Sequence, residues 1–190
     1  MFTAAKKLST VLCLAALCMT LSVPAMAKDS PSKDFPVSFR NDNQIAEEVA
    51  HAIRMYPRYD IFDWVEGTVH NGVVTLTGAV REPFHKDDYG KIVAHLPDVK
   101  QVDNELRVLP LSTFDDQIRW AAARTIYRDP MFTAYAIQAN PPIHIIVENG
   151  KVTLKGVVST PMEKQIAESK VRTNVMSFDV TNDLKVEELG

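Results

Sequence analysis

The chain has 190 residues with a formal charge of −3 at pH 7, 46% hydrophobic residues and two cysteines. A globular protein is implied, and the acidic balance lacks the basic footprint of a general nucleic-acid binder. The first 27 residues carry both cysteines, Cys13 and Cys18, and look like a targeting segment. Lys6 and Lys7 form a positive start, residues 8–21 are an apolar run too short to span a bilayer comfortably, and Ala25-Met26-Ala27 is a small-x-small cleavage pattern. Leu12 and Leu17 stand where a lipid-anchoring motif wants a small residue, so lipid anchoring is the weaker reading. Cleavage after Ala27 leaves 163 residues, a charge of −5 and no thiol. The expected location is the periplasm of a double-membrane bacterium, with no transmembrane segment after cleavage.

The next expected segment is 28–39, followed by two copies of one unit at 40–109 and 113–188. The string NGVVTLTGAV at 71–80 matches NGKVTLKGVV at 149–158, an offset of 78 that holds to the end of each copy. Pro83 meets Pro161, and Val102, Asn104, Leu106 and Val108 meet Val180, Asn182, Leu184 and Val186. Upstream the offset is 73, with Ile45, Val49 and Ile53 against Ile118, Ala122 and Ile126. The second copy therefore carries five extra residues, around 131–142, in a stretch that reads as loop.

In each copy an apolar stripe at helical spacing predicts a first helix, with Asp42 or Asn43, and Thr113 or Asp115, as caps. An alternating strand follows, interrupted in the first copy by Gly67, which marks a bulge. Asn71-Gly72 and Asn149-Gly150 read as two-residue hairpin turns. After the returning strand a helix opens on Pro83 or Pro161, and a last strand closes the unit, parallel to a hairpin strand. The fold class is α+β: two tandem α-β-β-α-β units, each a three-stranded mixed sheet packed on two helices.

These motifs, V/I-x-V-x-Asn-Gly-x-V-T-L-x-Gly-x-V and a closing V-x-Asn-x-L-x-V, resemble the BON domain. The resemblance covers 69–80 with 102–108 and 145–158 with 180–186; Gly67 departs from it, where the pattern prefers a β-branched residue. It implies a non-enzymatic protein of envelope integrity and osmotic stress that binds phospholipid. The alternative is a protein-interaction adaptor or chaperone-like factor in envelope assembly, working through an exposed sheet edge or an aromatic patch.

No catalytic residue, metal site or cofactor is expected. His51, His70, His85, His95 and His144 have no metal-ligand spacing and read as solvated surface histidines. The acidic pairs Glu47-Glu48, Asp87-Asp88 and Asp115-Asp116 are neighbours in sequence and not dyads. Asn104 and Asn182 read as buried amides that satisfy backbone groups. The one feature pointing to a ligand is on the first helix of the second copy. With Ile118 towards the core, Trp120, Tyr127 and Arg124 fall at about 200°, 180° and 240° on the helical wheel, flanked by Arg119 and Arg128. Aromatic rings among arginines suit the headgroup level of an anionic membrane. The first copy carries Glu47, Arg54 and His51 at the matching places. The competing reading is that Trp120 packs against the other copy or under the loop near Met131 and Phe132.

Overall fold

The computed structural model describes residues 41–187, so the targeting segment, segment 28–39 and both cysteines lie outside the described residues. The first repeat runs α1 (Asp42–Arg54), β1 (Trp64–His70), β2 (Val73–Val80), α2 (Pro83–Ala94), β3 (Gln101–Asn104) and β4 (Arg107–Val108). The second runs α3 (Thr113–Tyr127), a 3₁₀ turn (Pro130–Phe132), α4 (Thr133–Ala136), β5 (Ile143–Glu148), β6 (Lys151–Val158), α5 (Pro161–Asn174) and β7 (Asp179–Val186). Part of the stretch expected to be loop is thus helical, because Asp129 caps the turn at Met131 and Phe132 anchors it in the core.

Both sheets are mixed. β1 pairs antiparallel with β2, and β2 pairs in parallel with β3 and then β4. β5 pairs antiparallel with β6, and β6 pairs in parallel with β7. Each hairpin turns on Asn and Gly at positive φ, 53° and 79° in one copy and 52° and 76° in the other. The last strand of the first repeat is split after Asn104, which turns its amide inward. Its Nδ2 donates to the Lys86 carbonyl at 2.7 Å, and its Oδ1 accepts from the Leu106 N–H. Asn182 makes the matching bonds to Lys164 and Leu184. Both amides satisfy backbone groups as expected, from part-buried positions. Gly67 marks no bulge: the β1–β2 register runs unbroken from Trp64↔Ala79 to His70↔Val73.

The helix starts differ from expectation by one residue. Asn41 and Ser112 are the N-caps, accepting from Gln44 N and Asp115 N. This frees Asp42 and Asp115 for another task. Asp42 accepts from the Asn71 and Gly72 N–H groups at 2.7 and 3.0 Å, and Asp115 from those of Asn149 and Gly150 at 2.9 and 2.7 Å. Each first helix is therefore bolted to its own hairpin turn, and these backbone bonds hold Asp42 below the usual carboxylate range.

Each repeat has a core between its helices and its sheet. In the first it gathers Ile45, Val49, Ile53, Leu76, Val93 and Leu106. In the second, Ile118, Ile126, Ile145, Leu154, Val171 and Leu184 are joined by Phe62, which comes from the first repeat and is 2% exposed. The Ile145 N–H donates to the Ile61 carbonyl at 2.7 Å. A small third cluster, Ala79, Leu109 and Ile146 with Trp64 against it, closes the join, and the Arg107–Glu148 ion pair sits at its rim.

Candidate membrane-facing surface

Helix α3 presents a different outer face from the one the helical wheel predicts. Trp120 is 51% exposed, and Arg124 and Arg128 are exposed with it. Two of the five expected residues turn away. Arg119 is 1% exposed: its guanidinium donates to the Val147 carbonyl at 2.6 Å and pairs with Asp116 at 2.7 Å. Helix α3 buries a face wider than the Ile118 stripe, because its first two turns lean on the β5–β6 hairpin that Asp115 clamps. An arginine one residue past the core direction is drawn to the free strand carbonyl there. Tyr127 packs against the core, its hydroxyl donating to the Ile143 carbonyl at 2.5 Å and accepting from the Ile143 N–H at 3.2 Å. Burial pushes its phenol well above the usual range.

Trp120 packs against the first repeat on one side only. One edge of the indole meets the Phe62 ring at a centroid distance of 5.0 Å, while the rest is open to solvent. Arg81 lies over the same Phe62 ring at 5.8 Å, its guanidinium paired with Glu82 at 3.0 Å. The acids nearest on α3 are all engaged. Asp115 holds the hairpin turn, Asp116 pairs with Arg119, and Asp129 pairs with Lys170 at 2.6 Å, which lowers its pKa. Arg124 and Arg128 have no ion pair among the described residues.

A second polar constellation, missed in the sequence, lies buried at the join. Asp63, fully buried, accepts from Arg81 N at 2.8 Å, Tyr89 Oη at 2.8 Å and His85 Nδ1 at 2.6 Å. Its backbone carbonyl accepts from His144 Nδ1 at 2.6 Å, and Tyr59 Oη lies 3.3 Å from His144 Nε2. His85 and His144 are 3% and 6% exposed, which corrects the surface reading for both. They are buried because each finds an acceptor in one residue, Asp63, just before β1. Burial holds His144 below the usual imidazole range and pushes Tyr59 up to about 12. Around this cluster the described residues offer no metal-binding group of three or more ligands.

A duplicated, interlocked α+β module bearing an aromatic and cationic outer helix defines the class. BON domains match residues 41–110 and 133–188, and the chain belongs to that family. BON domains are associated with phospholipid binding, and proteins that contain them are often periplasmic and generally not enzymes. Among solved structures the chain is similar to CdsD, a structural protein of the type III secretion system of Chlamydia trachomatis. That match is 14% identical, covers 76% of this chain and 94% of the other, and superposes with a TM-score of 0.29. A structure of the CdsD C-terminal domain is 12% identical over 78% of this chain and all of the other, with a TM-score of 0.28. No curated protein matches the chain. No helix among the described residues is long and apolar enough to cross a membrane.

Proposed function

We propose that this is a non-enzymatic periplasmic protein of envelope maintenance that binds anionic phospholipid surfaces peripherally through the outer face of α3. The residues that carry the contact are Trp120, Arg124 and Arg128. Arg119 and Tyr127 drop out of it as direct contacts and serve to hold the helix in place. One observation carries the reading: a half-exposed tryptophan stands beside two arginines that have no ion pair among the described residues, while Asp116 and Asp129 are paired with other cations. An indole at headgroup level contributes an apolar body with a polar tip, and each basic residue near the surface contributes about 1 kcal/mol. Two such arginines working against an overall charge of −5 give weak, reversible, salt-sensitive binding.

Liposome flotation tests this. The full chain should float with phosphatidylglycerol and cardiolipin vesicles at low salt, not with phosphatidylcholine, and less as salt rises. The double change Trp120→Ala with Arg124→Glu should abolish flotation and leave the melting temperature within a few degrees. Failure of the unmodified protein to float at low salt refutes the reading. A large fall in melting temperature for Trp120→Ala alone would reduce Trp120 to a packing residue.

A further inference from the structure

The two repeats differ at the outer edge of their first strands. In a hairpin closed by a two-residue turn the residues flanking the turn are a hydrogen-bonded pair, so every second residue from there faces the partner strand and the others face outward. On β5 the outward set is Ile143, Ile145 and Val147, and the Ile145 N–H is satisfied by the Ile61 carbonyl. The rest of that edge is met by side chains of α3, with Arg119 donating to the Val147 carbonyl and the Tyr127 hydroxyl bonding both the carbonyl and the N–H of Ile143. The offset of 78 places Gly67 at the position of Ile145, with Val65 and Val69 beside it. Their outward N–H and C=O groups have no partner among the described residues.

This bare edge borders a groove of ≈ 300 Å³. One wall is α1, with Ala46 and Ala50; the floor is Val65 and Gly67; the far wall is Pro141 and Pro142. Small residues leave the groove open. Where β5 presents the fully buried Ile145, β1 presents no side chain, and the backbone at Gly67 is exposed. At the inner end Trp64 lines the groove, and its indole N–H is buried without an acceptor. The groove is continuous with the join between the repeats, since Trp64 and His144 belong to both.

We propose that the β1 edge is a docking site for an extended polypeptide strand with small or apolar side chains, which pairs with Val65, Gly67 and Val69 and lays alternate side chains between α1 and the Pro141-Pro142 wall. The occupant follows from the chemistry of the edge. Alternating donors and acceptors are satisfied by another backbone, which an acyl chain does not provide. At the twin edge α3 supplies Arg119 and Tyr127 for this purpose, whereas α1 carries Ala46 and Arg54 at the matching places and, among the described residues, makes no such bond to β1. The site lies on a different element from the lipid-binding face, so the two proposals stand or fall separately.

The test uses the full chain and a capped peptide of seven alternating valines and threonines with a lysine at each end. A second peptide has its four central amides N-methylated, which blocks both of its edges. The first peptide should shift the Gly67 amide resonance and slow hydrogen exchange at Gly67 and Val69 by at least about tenfold. The N-methylated peptide should not. Ala50→Lys, at a half-exposed helical position, should lower affinity at least about tenfold, keep the melting temperature and leave liposome flotation unchanged. Gly67→Pro removes the central donor and should act likewise; if it does not fold, Ala50→Lys decides. The proposal is overturned if the first peptide does not bind at millimolar concentration, or if N-methylation or Ala50→Lys leaves binding intact. It is equally overturned if sedimentation shows a dimer that Ala50→Lys dissolves, which would make a second copy the occupant.

Discussion

Asp63 receives three donors in a site with no water-accessible surface: a backbone N–H at the end of β2, a phenol and an imidazole on α2. Replacing it with alanine removes the acceptor and leaves the donors where they are. His85 can take the tautomer that leaves Nδ1 unprotonated, so the lasting damage is at the Arg81 N–H and the Tyr89 hydroxyl. Each buried donor left without a partner costs about 1–3 kcal/mol, so two of them cost about 2–6 kcal/mol together. The expected loss for Asp63→Ala is therefore about 4 kcal/mol, a large part of the 5–15 kcal/mol that roughly bounds the stability of a domain. For a protein of this size that lowers the melting temperature by roughly 10 °C. Asp63→Asn keeps one acceptor oxygen and should lose less. Urea unfolding followed by far-UV circular dichroism gives the difference directly. A loss below about 1 kcal/mol for the alanine variant would mean that the three donors find other partners, and the cluster would not be a structural anchor.

Gly156→Ala should prevent folding or cost several kcal/mol, because a β-carbon there would lie 1.8 Å from the Pro142 carbonyl oxygen at a φ of +121°; soluble yield and thermal melting report it. Tyr127→Phe deletes a hydroxyl that both donates to and accepts from Ile143, and should cost about 1–3 kcal/mol by urea unfolding while leaving liposome binding unchanged. His144 has its folded pKa below its unfolded value, so the unfolded state binds more protons and stability rises with pH through that interval. Its contribution is complete above about pH 6.5 and is lost as pH falls from there through the folded pKa; His144→Gln should flatten that part of a stability–pH curve.

The duplication, both hairpin turns and the prolines that open α2 and α5 were legible because they rest on local chemistry: Asn-Gly at positive φ, proline at a helix start, alternation along a strand. Asn104 and Asn182 were legible for a related reason, being polar residues on an otherwise apolar strand face. What the sequence hid is the join. Asp63, His85 and His144 are distant along the chain, and nothing in their spacing says that one carboxylate will gather them. The helical wheel failed at Arg119 and Tyr127 because it assumes a single core direction. Helix α3 meets a sheet and a hairpin turn on one side and Phe62 on another, so residues well off the Ile118 direction are also buried. Trp120 was legible as outward, with packing against the other copy as the competing reading; that Phe62 is the residue it meets was not legible, since nothing local marks that residue out.

Phe62 alters what the duplication means for the life of the chain. A ribosome that has finished the first repeat has produced a side chain that repeat does not enclose, and it stays unhoused until Ile126, Phe132 and β5 exist to receive it. A proteolytic cut between the repeats would not release two independent halves either. The second half would have a ring-sized hole, a defect comparable with a buried phenylalanine truncated to alanine, which costs about 3–5 kcal/mol. The repeats share a wall, so the second copy moved into another protein without residues 61–62 would carry that hole with it.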